Sequence, residues 1–377
     1  MPWRISSAVS QRHEFVLLAS QPSANMRQLC HRFGISRPTG YKWLERYLSE
    51  GQAGLVDQSR RPHHSPNRTV PTVETAITAL RKKHPAWGGR KLQQRLFDLG
   101  HRNLPAPSTI TSILARHELL DAQESTKHRA FQRFEHAAPN DLWQMDFKGD
   151  FALLRARCYP LTIVDDHSRF AVTLNACARN TKNITQSALI QTFRRYGLPA
   201  RISCDNGPPW GSSCRGHYTQ LVIWLMRLGI VVSYARPHHP QTNGKDERFN
   251  RTFEIEVLRY QRAATLAQWQ QHFDDWRYVY NNERPHEALQ MKVPASRYRP
   301  SQRAYPERLP PIEYGPTDIV RKVRHAGHIK YKGREIHVGS AFFGLQVALR
   351  PTTTDGVFAI FFCQIQIGQL DLAKPGT

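Results

Sequence analysis

Acidic residues are scarce in this chain. Against 53 Lys and Arg stand 30 Asp and Glu, a formal charge of +23 over 377 residues. The excess is spread along the whole length: +11 over 1–140, +8 over 141–315 and +4 over 316–377. Such a chain repels itself until it meets a polyanion, which makes nucleic acid the first candidate partner, although a merely soluble basic protein carries the same charge. Paired cysteines are also missing. The six, at 30, 158, 177, 204, 214 and 363, form no Cys-x-x-Cys, and no histidine pair stands at ligand spacing from a cysteine pair. That argues against a disulfide framework and a structural zinc, and for reduced thiols. No uncharged apolar run reaches the roughly 20 residues that span a bilayer. The opening MPWRISSAVSQRHEF lacks the apolar stretch of a secretory signal. A cytoplasmic, nucleoid-associated protein with no membrane partner is therefore expected.

What is present is enough apolar material for real cores, 40% of residues with 10% aromatic. In residues 25–33, Met26, Leu29 and Phe33 recur at helical spacing. Gly34-Ile35 turns the chain, Ser36 is a good cap, and Pro38 is tolerated in the first turn of the next helix. That helix, RPTGYKWLERYL, is read with Tyr41, Leu44 and Leu48 on one face and Arg37, Thr39 and Lys42 on or near the other. This is the pattern of a helix-turn-helix whose second helix fits a major groove; an ordinary helical hairpin is the alternative. Residues 73–122 repeat the helical style, with Arg90 and Lys91 expected on the exposed side.

From 141 the period changes. Strands at LWQMDF, RCYPLTIVDD and SRFAVTLNA precede a helix, a short buried strand ending at Asp205, a helix, a strand, and two long helices. That order predicts a mixed sheet with helices on its faces. The run Trp269, Phe273, Trp276 and Tyr280 is read as helix core. After a proline-rich stretch, the last residues read as short strands with turns at Tyr331–Arg334 and Thr354–Gly356.

Three carboxylates stand out by placement. Asp146 sits inside the apolar strand WQMDF, where an unpaired acid costs several kcal/mol. Asp205 ends a buried strand, the position where ligand sites form in open sheets. Glu247 opens a helix after the loop PQTNG. The gaps between them are 58 and 41 residues. Oxygen-only donors select hard cations such as Mg²⁺ or Mn²⁺, and three converging carboxylates can hold two ions for phosphodiester displacement. Other acids read differently. Asp165 and Asp166 are expected to serve a turn or to pair with Arg169, Asp150 to lie on a surface strand, and Glu254 to be solvated. Asp246, about 100° around the helix from Glu247, is expected to share no face with it and to weaken the local basic surface. Asn206, Gln241, Asn243, Lys245 and Arg248 are candidates for positioning phosphates or bases. His238 and His239 suit DNA contact or loop packing equally.

The ordered pieces WQMDF (143–147), IVDDHSRF (163–170), DNGPPWGS (205–212), HPQTNGKDERFNRT (239–252), YNNERPHEAL (280–289) and PASRYRPS (294–301) resemble the bacterial insertion-sequence transposases that share the retroviral integrase core, the DDE class. The likeness covers about residues 139–301, and the upstream helical pair and downstream strands look like the same family's flanking parts. It implies a multidomain α/β chain: helix-turn-helix units, an RNase H-like mixed-sheet core and a small SH3-like β-barrel. The expected boundaries are 1–55, a linker 56–72, 73–122, a linker 123–138, the core 139–299, a linker 300–315 and the barrel 316–377. Carried over by position, Asp146, Asp205 and Glu247 are the catalytic and metal-binding triad, with two Mg²⁺ or Mn²⁺ ions. Arg37, Thr39, Lys42, Arg90, Lys91 and the five polar residues near the triad contact DNA. Double-stranded DNA, as transposon ends and target, is the partner, held by a homo-oligomer of at least two chains. Two departures stand: the second gap is longer than is common in the class, and the zinc unit of retroviral integrases is absent. A non-catalytic DNA-binding regulator of the same fold and an RNase H-type nuclease remain as alternatives.

Overall fold

The structure, a computed structural model, describes residues 7–58, 68–120, 135–154, 156–211, 218–234 and 244–373. Gln241, Asn243, His238, His239 and Cys214 lie outside the described residues. By its contacts the chain divides into two units, Met1–Arg68 and Thr69–Thr377.

The described residues of the first unit form helices α1 (Ala8–Ala19), α2 (Met26–Arg32) and α3 (Arg37–Glu50), and a 3₁₀ turn at Gly51–Leu55. Each helix starts on a side-chain cap, from Ser7, Asn25 and Ser36, which satisfies otherwise orphaned N–H groups. Phe15, Val16, Cys30, Trp43 and Leu55 form the core. The face of α3 that carries Tyr41 and Leu48 is not the one that packs. Gly40 and Trp43 point inward, while Tyr41 and Leu48 are 56% and 73% exposed. The reason is close approach: a Cβ at Gly40 would stand 2.7 Å from Cys30 Sγ and 2.9 Å from Phe15 Cζ. Only the missing side chain lets α3 press onto α1 and α2, and Trp43 then fills the space one turn on.

The second unit begins with α4 (Pro71–Lys83), α5 (Gly89–Asp98) and α6 (Pro107–Arg116). Their shared core is Ile77, Trp87, Leu92, Leu96, Ile110, Ile113 and Leu114. The buried Arg81 donates to the carbonyls of Leu119 and Trp87 and closes the bundle.

Next comes a six-stranded sheet of β1 (Trp143–Phe147), β2 (Phe151–Ala152), β3 (Arg157–Asp165), β4 (Ala171–Cys177), β5 (Arg201–Cys204) and β6 (Val231–Tyr234), with helices α7 (Lys182–Tyr196), α8 (Gln220–Arg227), α9 (Gly244–Phe253) and α10 (Leu266–Asn282). β3 pairs antiparallel with β1 and β2 along one edge and with β4 along the other. β1 pairs parallel with β5, and β5 with β6. Period-two alternation sends Leu161 and Ile163 to the α7–α8 side and Val164 to the α9–α10 side. On the latter side Phe249, Phe253, Trp269, Phe273, Trp276 and Tyr280 pack as helix core. Asn281 clamps the sheet by accepting from Ala171 N–H at 2.8 Å and donating to its carbonyl at 3.0 Å.

The C-terminal module is a small antiparallel structure. β7 (Ile319–Lys322), β10 (Gln346–Pro351), β11 (Val357–Phe362) and β12 (Ile365–Asp371) form one sheet, and β8 (His328–Tyr331) and β9 (Arg334–His337) a two-stranded hairpin. Its apolar side, with Val347, Leu349, Ile360 and Phe362, is continuous with the cluster under α8, and Tyr218 meets Phe342 edge-on at 5.2 Å. Among the described residues no helix is long and apolar enough to cross a membrane.

Candidate active site

Asp146 is the fourth residue of β1, with its side chain half-buried. Parallel pairing sets Trp143 against Ile202 and Gln144 against Ser203. Carrying that register two residues further brings Asp205, one residue past the end of β5, beside Asp146. Asp205 is exposed. Its Oδ1 accepts from Gly207 N–H at 3.1 Å and from Trp210 Nε1. The Trp210 ring in turn stacks on Phe147 at 5.3 Å, so the loop after β5 is fastened to the strand that carries Asp146. Burial pushes the Asp146 carboxyl above the usual carboxylate range, and the charge of Asp205 pushes it the same way.

Helix α9 packs over β1 and β3. Glu247, in its first turn, is exposed. Its neighbour Asp246 is not the surface residue expected. It is 3% exposed and turned toward the sheet. Thr162 Oγ1 donates to its Oδ1 at 3.2 Å, and Asn250 Nδ2 to its Oδ2 at 2.9 Å. Burial, reinforced by the Asp146 charge, holds its carboxyl well above the usual range. The 100° offset places Asp246 and Glu247 on different faces, as expected, but it is Asp246 that faces Asp146.

Lys245 also departs from expectation. Its ammonium pairs with the buried Asp166, so it is committed inside the protein and not available to phosphates. Asp166 accepts further from His136 N–H and from Gln144 Nε2. Asp165 serves a turn as expected, accepting from Asn140 N–H, Ser168 N–H and Ser168 Oγ at 2.7, 2.8 and 2.6 Å. The cation paired with Asp166 is Lys245; Arg169 pairs with Glu135 at 3.3 Å. Asp150 pairs with Arg157, and Glu254 with Lys148 at 3.0 Å.

The remaining candidates for DNA contact divide. Arg37 and Lys42 are exposed on α3, with Thr39 half-buried, its hydroxyl 2.8 Å from that of the capping Ser36. Asn206 and Arg248 are exposed beside Asp205 and Glu247. Of the two residues expected on the outer face of the second helical unit, Arg90 is exposed as expected and Lys91 is half-buried. Arg90 reaches Glu287 at 3.8 Å. The Lys91 amine is held down to about 8, first by burial and then by Arg284. With Arg95–Glu283 at 3.0 Å, these residues fasten α5 to the turns that follow α10. The face left open is that of α6, where Ser108, Thr109, Thr111, Ser112 and Arg116 are exposed.

Among the described residues no group of three His, Cys, Asp or Glu side chains is gathered closely enough to hold a metal ion. The donor chemistry nonetheless fits a hard cation: the candidate ligands are all carboxylates, and the half-buried Asp146 is loaded by the negative charge of Asp205. A divalent ion offsets that charge. Sequence reasoning missed Gln144, Thr162 and Asn250. The one signal for Asn250 was its place four residues after Asp246, on the same helical face.

The parts so far define a class: helix-turn-helix modules ahead of an integrase-type core. Comparison with known proteins agrees. Residues 136–240 and 228–294 match integrase core domain models, 11–63 a helix-turn-helix domain, 39–114 a homeodomain-like domain, and 318–377 the C-terminal domain of IS481 family transposases. The chain is similar to an uncharacterized 39.2 kDa protein of insertion element IS476 from Xanthomonas euvesicatoria, at 28% identity over 64% of this chain and 69% of that protein. It is also similar to an uncharacterized 31.7 kDa protein of IS407 from Burkholderia multivorans, at 30% identity over 42% of this chain and 55% of that one. A solved integrase catalytic core of HTLV-2 aligns with 43% of this chain and 98% of its own at 18% identity, TM-score 0.33. The chain is thus similar to bacterial insertion-sequence proteins, with a core that matches integrase core domain models.

Proposed function

We propose that this chain is a DNA transposase that binds the terminal inverted repeats of an insertion sequence, frees a 3′ end by hydrolysis and joins that end to target DNA. The observation that supports the reading is that the charge of Asp205, just past β5, acts on Asp146 of the parallel neighbour β1, with α9, the helix of Glu247, packed over the same strand. Asp146, Asp205 and Glu247 would hold two Mg²⁺ or Mn²⁺ ions. Such ions, when bound, lower the pKa of an attacking oxygen and stabilise the leaving one. The chain's own part is to fix those donors. Trp210 and Gly207 hold Asp205, and Asn250 holds Asp146. Glu247 starts exposed, and we take its approach to the other two to accompany loading with metal and DNA.

The exposed Arg37 and Lys42 on α3, and the open face of α6, are the surfaces assigned to reading the repeats. Arg248 and Asn206 flank the triad and suit the scissile strand's phosphates. Because two ends must be brought together, the working form is an assembly of at least two chains on DNA. The experiment is a reaction of the purified chain with oligonucleotides carrying its element's own terminal repeats and Mg²⁺. Joined product from the parent and none from Asp146→Asn, with repeat binding kept in both, supports the reading. Equal function of the Asp146→Asn chain in vivo points instead to a non-catalytic regulator, and cutting of RNA–DNA hybrids without joining points to a ribonuclease H-type enzyme.

A further inference from the structure

Asp246 sits at the centre of a hydrogen-bond network that ties α9 to the strand bearing Asp146. Its backbone N–H donates to Gln144 Oε1 at 3.2 Å. Thr162 Oγ1 lies 3.2 Å from Asp246 Oδ1 and 3.1 Å from the Asp146 carbonyl oxygen. Asn250 Nδ2 bridges the two acids, at 2.9 Å from Asp246 Oδ2 and 3.2 Å from Asp146 Oδ2. Among the described residues, Asn250 Oδ1 is buried without a hydrogen-bond partner. Among the described residues, the amide is held by its donor side, which is divided between two carboxylates.

We propose that Asp246 is a positioning residue for Asp146: through Asn250 and Thr162 it fixes the orientation in which the Asp146 carboxyl is presented and the seating of the helix turn that carries Glu247. The inference rests on the reading above that Asp146 is a metal ligand. An apolar side chain at 246 fills the same space but leaves Asn250 and Thr162 one acceptor short. The amide swings and Asp146 loses a defined rotamer. Asp246 touches neither DNA nor the reacting atoms in this account. It acts on Asp146 both directly, carboxyl to carboxyl, and through Asn250 and Thr162, so its loss is felt as weaker metal binding.

The test is calorimetric titration of the full chain with Mn²⁺ alone, comparing the parent with Asp146→Asn, Asp246→Leu, Asp246→Asn and Thr162→Val, each first checked for the parent's melting behaviour. Asp146→Asn is expected to lose measurable binding. Asp246→Leu is expected to bind at least five-fold more weakly, Thr162→Val two- to five-fold more weakly, and Asp246→Asn, which keeps the shape and an acceptor, within about two-fold of the parent. Should Asp246→Leu fail to fold, the near-isosteric Thr162→Val decides. Parent-like affinity in Asp246→Leu or Thr162→Val, with Asp146→Asn silent, overturns the inference alone. Loss in Asp246→Asn as complete as in Asp146→Asn also overturns it, because Asp246 is then a ligand itself. Parent-like affinity in Asp146→Asn overturns the functional reading and the inference together.

Discussion

Asp146 on β1 feels the charge of Asp205, which follows the end of β5, the strand paired in parallel with β1. The placement makes a local excess of negative charge out of two residues with 58 others between them. Replacing Asp205 by Asn removes that charge and keeps an oxygen for Gly207 and Trp210. The variant should melt within about 0.5 kcal/mol of the parent, as an exposed change does. Its 3′-end cleavage should fall by about a thousand-fold or more. Single-turnover cleavage beside a melting curve checks both halves.

Arg95 and Glu283 join the second helical unit to the turn after α10, at 3.0 Å and with side chains 18% and 19% exposed. A partly buried pair of this kind has a coupling energy of about 1 kcal/mol. Arg95→Glu and Glu283→Arg should each destabilise the chain, and the charge-swapped double variant should recover most of the loss. A double-mutant cycle in urea measures it; strict additivity contradicts the contact.

His84 lies flat on Trp87 at 3.9 Å between ring centres. Burial, then the charge of Lys83, takes its pKa down to about 4. The folded chain thus keeps His84 neutral while the unfolded chain protonates it near 6.5. The unfolded state binds the extra proton in that window, so stability falls as pH drops from about 6.5 towards 4. His84 is only half-enclosed, so the loss is discounted to about 1–2 kcal/mol. His84→Gln should remove this part of the acid sensitivity, read as the difference between the two chains' stabilities at pH 7.5 and pH 5.

Phe273 is fully buried against Phe253 and Trp269 on the α9–α10 side of the sheet. Truncation to Ala should cost about 3–5 kcal/mol. Denaturant melting checks this, and a cost below 1 kcal/mol would speak against the packing described.

Much of this was legible in the chain itself. The apolar strand around Asp146, the strand end at Asp205 and the spacing from Trp269 to Tyr280 are local patterns, and local patterns survive folding. What escaped is the pairing of charges across long stretches. Nothing near Lys245 says that its partner is Asp166, 79 residues away. Nothing near Lys91 says that its amine is buried within reach of the charge of Arg284. A basic residue bonded inside the fold and one awaiting phosphate look alike in a sequence. Helix α3 shows a second limit. Its larger apolar residues, Tyr41 and Leu48, share a face that stays exposed, and Gly40 decides the packing because contact distance outweighs hydrophobicity where helices nearly touch. Asp246 combines both limits: an acid beside an acid, buried because Thr162 and Asn250 receive it.

Glu247 is the member of the triad on which the account is most exposed, since its side chain faces solvent. The direct measurement is strand transfer by a Glu247→Gln chain with terminal-repeat DNA and Mg²⁺. The account predicts no joined product while the repeats are still bound with the parent's affinity. Joining at the parent's rate would contradict it.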